Sequence, residues 1–227
     1  MKTKSCILLL MLLFLVPQTF GQLRKKVDPG IHFGVVGGLN IQSIIGKDYW
    51  GDKLNNDLFP GFHAGGNVIL TFAPDFYIQP GILFSVKGAK QTILTDNIKK
   101  TTRLSYIEIP VNVLFRPQLG DGHLLIAAGP YAAYGIMGKE RTKIGPITTE
   151  LTVKYVSDAT DRPTSYVYYR GFDAGANVYV GYELFNGIFC QINGQMGLLK
   201  INPDYGITDD PASKKNIGFG ISAGYRF

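Results

Sequence analysis

Gly171–Glu183 reads GFDAGANVYVGYE. Its even positions, Phe172, Ala174, Ala176, Val178, Val180 and Tyr182, are apolar, while Asp173, Asn177, Tyr179 and Glu183 alternate with them. A period of two with one wet and one apolar face is the pattern of a β-strand. The stretches on either side repeat it. Gly122–Ile136 sets Leu124, Ile126, Ala128, Ala132, Tyr134 and Ile136 on one face, and Gly187–Leu199 sets Ile188, Cys190, Ile192, Met196 and Leu198 against Gln191, Asn193 and Gln195. Arg103–Arg116 opposes Ile107, Ile109, Val111, Val113 and Phe115 to Tyr106, Glu108 and Asn112. With His32–Ile41, Gly61–Phe72, Phe76–Lys87 and Asn216–Phe227 there are eight such segments. Their length suits a tilted strand crossing a bilayer.

The connections sharpen the reading. Ala73-Pro74-Asp75, Pro117–Asp121 and Leu184–Asn186 are short; Gln42–Pro60, Gly88–Thr102, Met137–Arg170 and Lys200–Lys215 are long, and the two kinds alternate strictly. An even strand count with short turns at one end and long loops at the other is the topology of an outer-membrane barrel, with both termini periplasmic. The expected fold is therefore all-β, one eight-stranded antiparallel transmembrane β-barrel. A soluble ligand-binding barrel would place its apolar face inside. Here the polar face is crowded with Gly, Asn, Gln and charge, which suits a narrow lumen.

Aromatic residues follow the same logic. Of the chain's 13 tyrosines and 14 phenylalanines, Phe33, Phe72, Phe76, Phe115, Tyr182, Tyr225 and Phe227 fall on the apolar face near the periplasmic strand ends. Phe62, Phe84, Tyr134, Phe172 and Phe219 fall near the external ends. Two belts of rings are expected at the two interfaces. Pro80, Pro110 and Pro130 sit inside strands of a sheet without edges, so bulges or ladder breaks are expected there.

Residues 1–21 read as a signal peptide. Lys2 and Lys4 precede the apolar run Cys6–Val16, and Thr19-Phe20-Gly21 offers a cleavage site, leaving 22–227 as the barrel domain. Cys6 precedes the apolar run, so a lipoprotein signal is not indicated, and Cys190 is then the remaining cysteine, which excludes an internal disulfide. The formal charge of +6 falls by two with Lys2 and Lys4. Basic residues are scattered, with Arg24-Lys25-Lys26 the one run, so nucleic acid is not an expected partner.

Catalytic and ligand chemistry is thin. His32, His63 and His123 share no ligand spacing, so no metal or cofactor is expected. Gly218-x-Gly220-x-x-x-Gly224 has neither the spacing nor the following helix of a nucleotide loop; its glycines make room in the lumen. The lumen-facing charges Lys87, Arg103, Glu108, Arg116, Asp173, Glu183 and Arg226 are expected to pair with one another, with Glu183, Arg116 and Arg226 meeting at the periplasmic mouth. His63 with Asp161 or Asp173 is the nearest approach to a catalytic pair. Tyr77, Tyr106, Tyr131 and Tyr179 point inward in a barrel whose interior its own side chains nearly fill, so an open pore is not expected.

Five further stretches carry a resemblance. These are Tyr106-Ile107-Glu108-Ile109-Pro110, Gly129-Pro130-Tyr131, Gly171-Phe172-Asp173-Ala174-Gly175, Gln195-Met196-Gly197-Leu198 running into Ile201-Asn202-Pro203, and the terminal Gly224-Tyr225-Arg226-Phe227. Through them the whole mature chain resembles the PorT-like outer-membrane β-barrel proteins of Bacteroidetes-type bacteria. The resemblance implies an outer-membrane location and an eight-stranded barrel, and the family's founding member is linked to type IX secretion. It also implies that Phe227 is an insertion signal read by the outer-membrane assembly machinery. The expected function is that of a non-enzymatic barrel in outer-membrane lipid that contacts an envelope partner through residues 137–170. An accessory role in secretion or envelope assembly, and a small lipid-modifying enzyme, are the alternatives.

Overall fold

Alternating apolar residues give every strand one side that seeks lipid, and eight such strands leave no backbone group unpaired only if the sheet closes. The computed structural model describes residues 30–93, 98–159, 165–206 and 210–227. The segment 1–21, the triplet Arg24-Lys25-Lys26 and Asp161 lie outside these residues. The described strands are β1 (Ile31–Lys47), β2 (Phe59–Ala73), β3 (Phe76–Ile93), β4 (Ile98–Phe115), β5 (Gln118–Leu119), β6 (Gly122–Ile144), β7 (Ile147–Tyr155), β8 (Tyr166–Tyr169), β9 (Phe172–Leu184), β10 (Ile188–Gly197) and β11 (Ser213–Arg226). Eight of them form the ring, in the order β1, β2, β3, β4, β6, β9, β10, β11. All ring pairs are antiparallel, and β11 returns to β1. The fold is the eight-stranded barrel.

The facing follows the alternation. Phe33, Leu39, Ile82, Ile109, Val178, Ile192 and Ile221 are exposed on the outside. Ile69, Leu114, Leu125, Tyr106, Tyr131 and Tyr179 are buried inside. The termini and short turns share one end, here the turn end; the long connections share the other, the loop end. At the turn end Phe76 lies 4.8 Å from Phe115 and 6.2 Å from Phe72, ring to ring, and Tyr225 lies 5.0 Å from Phe227. The Tyr182 hydroxyl donates to the Leu119 carbonyl at 2.7 Å. Phe62 and Phe84 stack at 5.8 Å toward the loop end.

Each of the three prolines interrupts a ladder. The β2–β3 register runs to Asn67↔Gly81 and resumes at Leu70↔Ile78, skipping Pro80. The β3–β4 register jumps from Pro80↔Val111 to Leu83↔Glu108, skipping Pro110, and β4–β6 jumps from Pro110↔Tyr131 to Val113↔Ala128, skipping Pro130. A missing N–H and a ring in the hydrogen-bonding direction account for all three gaps.

Two segments expected as loops are largely strand. Gly88–Thr102 continues β3 and β4 up to the pair Ile93↔Ile98. In Met137–Arg170, β6 runs on to Ile144, turns at Gly145 (φ 56°) and comes back as β7, beside which β8 lies parallel. On β6 there is also a bulge, because Tyr106 pairs with Gly135 but Ser105 pairs with Met137. Ile136 is the extra residue, and both it and Met137 are exposed.

Candidate functional site: the filled lumen and the sheet above it

The expected single network of lumen charges divides into two clusters. At the turn end, β4 leads into Arg116 while β9 and β11 contribute Glu183 and Arg226. Arg116 Nη2 reaches Glu183 Oε1 at 2.5 Å and its Nε reaches Oε2 at 3.3 Å; Arg226 Nη1 also bonds Oε2. Two guanidinium groups thus share one carboxylate. Arg116 lies 6.0 Å from the centre of the Tyr77 ring, and Arg226 lies 5.3 Å from that of Phe189. Beyond them an apolar layer of Ile69, Leu114, Leu125, Ala127, Tyr179 and Phe189 fills the bore.

Toward the loop end the ratio reverses. Lys87, fully buried, lies 3.3 Å from Glu108 Oε1 and 3.3 Å from Asp173 Oδ2. Tyr131 and Asn216 donate to the same Asp173 oxygen at 3.2 and 2.9 Å, and Gln195 donates to Glu108 Oε2 at 2.6 Å. The ammonium sits 4.4 Å from the Tyr131 ring centre and 5.3 Å from that of Tyr106. Above it, Ile44, Leu104, Tyr106, Val153, Tyr169 and Ile201 close the bore with an apolar cap. Sequence reading placed Lys87 in the lumen but not at the centre of a cluster. Arg103, expected in the lumen, instead points outward: it pairs with Gly88 on the face opposite Lys87 and Leu104.

Between the two clusters lies a polar chamber of about 90 Å³ lined by Asn40, Gln79, Asn112, Asn177, Gln191 and Asn193 among others. That volume accommodates a few water molecules rather than a substrate. His63 also faces it. Its Nε2 lies 2.9 Å from Ser222 Oγ, and Ser222 donates to Asn193 Oδ1 at 2.8 Å. The Ser222 hydroxyl thus gives its proton to the amide oxygen rather than to the imidazole, which is not the hydrogen bond of nucleophile activation. Asp173 engages Lys87, Tyr131 and Asn216 rather than His63, and Asp161 is outside the described residues. Among the described residues no group of three His, Cys, Asp or Glu could hold a metal ion.

Inward glycines explain how these groups meet. Gly38 is the register partner of both His63 and Ser222, and a Cβ there would come within 2.7 Å of each. Phe189 faces Gly224, Gln42 faces Gly218 and Tyr131 faces Gly175. A large lumen side chain lies across the empty position opposite it.

The strands continue past the cap, and their two faces differ. Glu140 points inward, buried, where Lys100 pairs with it at 2.8 Å and Thr102 donates at 3.3 Å. Outward stand Lys99, Arg103, Lys139, Arg141 and Lys143, all exposed. Glu150 on β7 binds Lys139 at 2.6 Å and Arg141 at 2.9 Å, and these two donors hold its carboxyl below the usual carboxylate range. Tyr155 donates to the Met137 carbonyl at 2.8 Å, and burial raises its hydroxyl pKa and lifts that of Tyr169 to about 12. Alternation of Ile147, Leu151 and Val153 with Thr148, Thr152 and Lys154 after Gly145-Pro146 was the sequence signal for β7.

A family model for the outer membrane protein β-barrel domain matches residues 20–202. The chain belongs to that family. It is thus a β-barrel protein of the outer membrane. Among solved structures it is similar to Ail, the attachment invasion locus protein of Yersinia pestis. Identity is 13%, coverage is 86% of this chain and 98% of that one, and the TM-score is 0.38. It is also similar to OprG of Pseudomonas aeruginosa, with 12% identity, 86% and 95% coverage and a TM-score of 0.41. No curated protein matches the sequence.

Proposed function

We propose that the chain is a non-conducting, non-enzymatic barrel that acts through the sheet raised at its loop end, with termini and short turns in the periplasm. The observation that carries this is the free edge of β7. Thr152–Tyr155 pairs with β8, but among the described residues Ile147–Leu151 pairs with β6 alone. An open, threonine-rich edge flanked by the exposed Ile144 and Ile147 is a template to which a partner's strand can add. The ordered sheet supports residues 137–170 as the contact surface for an envelope protein. A photoreactive residue replacing Thr149 should yield a discrete cross-linked species in cells, and the same residue at Ile126 on the lipid face should not. Identical products from both positions would overturn the reading. In planar bilayers the purified barrel should pass no stable current.

The resemblance to PorT-like proteins supports a second reading, an accessory in secretion or envelope assembly. Tyr106 and Glu108 of the motif behind that resemblance pack inside the lumen, so any secretion role rests on the surface above them. Loss of the gene would then alter the secreted proteome. A lipid-modifying enzyme would need His63 as a base, whereas the Ser222 hydroxyl beside it donates to Asn193 instead. The exposed Phe227, tied to β1 by its N–H on the Phe33 carbonyl at 2.8 Å, supports its role as the insertion signal; its deletion should lower assembled barrel yield.

A further inference from the structure

The outward face above the barrel stacks like charges. Lys99 is the direct cross-strand partner of Lys143, and Arg103 that of Lys139. Directly opposed residues in an antiparallel pair sit about 5 Å apart at Cα, and like charges there destabilise the sheet. Glu150 accounts for Lys139 and Arg141. Asp57 bonds Thr92 Oγ1 at 3.2 Å on the neighbouring strand. Among the described residues Lys99, Arg103 and Lys143 have no ion pair. The inner face of the same strands is compensated, since Glu140 there takes Lys100.

The position of this patch identifies what compensates it. On β6 the apolar outer surface ends at Ile136 and Met137, and Lys139 follows on the same face. At about 3.4 Å per residue and the usual barrel tilt, Lys139 stands about 5 Å above Met137, the level at which hydrocarbon gives way to headgroups. From Arg103 to Lys99 the strand climbs about 13 Å, or about 10 Å along the membrane normal. A phospholipid headgroup layer is about 5–8 Å deep. Arg103 and Lys139 therefore stand within that layer, and Lys99 and Lys143 rise beyond it, to a height that a lipid with phosphorylated sugars occupies.

We propose that the face carrying Lys99, Arg103 and Lys143 binds the phosphate groups of the outer-leaflet glycolipid, which supplies the missing counter-charge. The choice of leaflet rests on the orientation proposed above, whereas binding in detergent does not, so the two can fail separately. The test is native mass spectrometry of the full chain in detergent with bisphosphorylated lipid A, its dephosphorylated form, phosphatidylglycerol and lipid-free dextran sulfate. Lipid A should be retained about tenfold or more over the other three. The double variant Lys99→Glu, Arg103→Glu should lose that preference. It should also unfold no more easily than the parent, because each new carboxylate faces a cation, Lys143 or Lys139. Undiminished lipid A binding by the double variant overturns the proposal. So does equal retention of phosphatidylglycerol, of dephosphorylated lipid A or of dextran sulfate. Accessibility of the loop end to protease on intact cells tests the orientation by itself.

Discussion

The two ends of the lumen solve opposite charge problems. At the turn end two arginines share Glu183; toward the loop end one lysine serves Glu108 and Asp173. The turn-end excess is positive and vents to solvent, since the Arg116 side chain is 18% exposed. The inner excess is negative and sealed, with Lys87 and Asp173 both at 0%. A sealed cluster draws on neutral donors, and Tyr131, Asn216 and Gln195 serve it here, with Asp173 Oδ1 left without a hydrogen bond. The open cluster leaves Arg116 in reach of solvent instead.

Substitutions can break this contrast in graded fashion. Lys87→Met leaves two buried carboxylates facing each other and should cost about 3–5 kcal/mol, read as a lower urea midpoint for unfolding in lipid vesicles. Glu183→Gln removes the carboxylate that Arg116 and Arg226 share. It should cost about 2 kcal/mol, less than at Lys87 because Arg116 reaches water. Equal losses at the two sites would show that sealing does not set the difference. Tyr131→Phe deletes one donor to Asp173 while keeping the ring beneath Lys87, and should cost about 1 kcal/mol in the same assay.

A pH titration sharpens the comparison in a different way. Burial lifts the Tyr169 hydroxyl to about 12 against an ordinary value of 10. The folded cap favours the neutral phenol, so its contribution is intact below pH 10. It is lost as pH rises to about 12, because only the unfolded chain ionises in that window. Phenolate absorbance of the parent minus Tyr169→Phe should show this late titration; titration near 10 would mean that the cap is open.

The ring of strands was legible because burial of one face imposes period two, and alternating connection lengths fixed which ends meet. Which lumen groups touch was less so. Lys87, Glu108 and Asp173 come from β3, β4 and β9, and the stagger of the ring decides that they converge. His63 and Ser222 meet because Gly38 lies between them, a fact of register. The hairpin β6–β7 was concealed by its place in a long connection, although Gly145-Pro146 and the alternation after it announced a turn and a strand. Charge alone suggests the lumen for Arg103, but parity governs: its odd position groups it with Ile107 and Ile109 on the outer face.

Ile136, the unpaired residue of the β6 bulge, works as a shift of phase. Below it even-numbered residues face out; above it odd-numbered ones do, which puts Glu140 indoors and Lys139, Arg141 and Lys143 outdoors. In descent, losing that one codon would leave composition almost untouched and turn the surface chemistry of everything above it inside out. Insertions and deletions at this point are therefore far more consequential than substitutions, and relatives that differ in length here would present a different face to their surroundings.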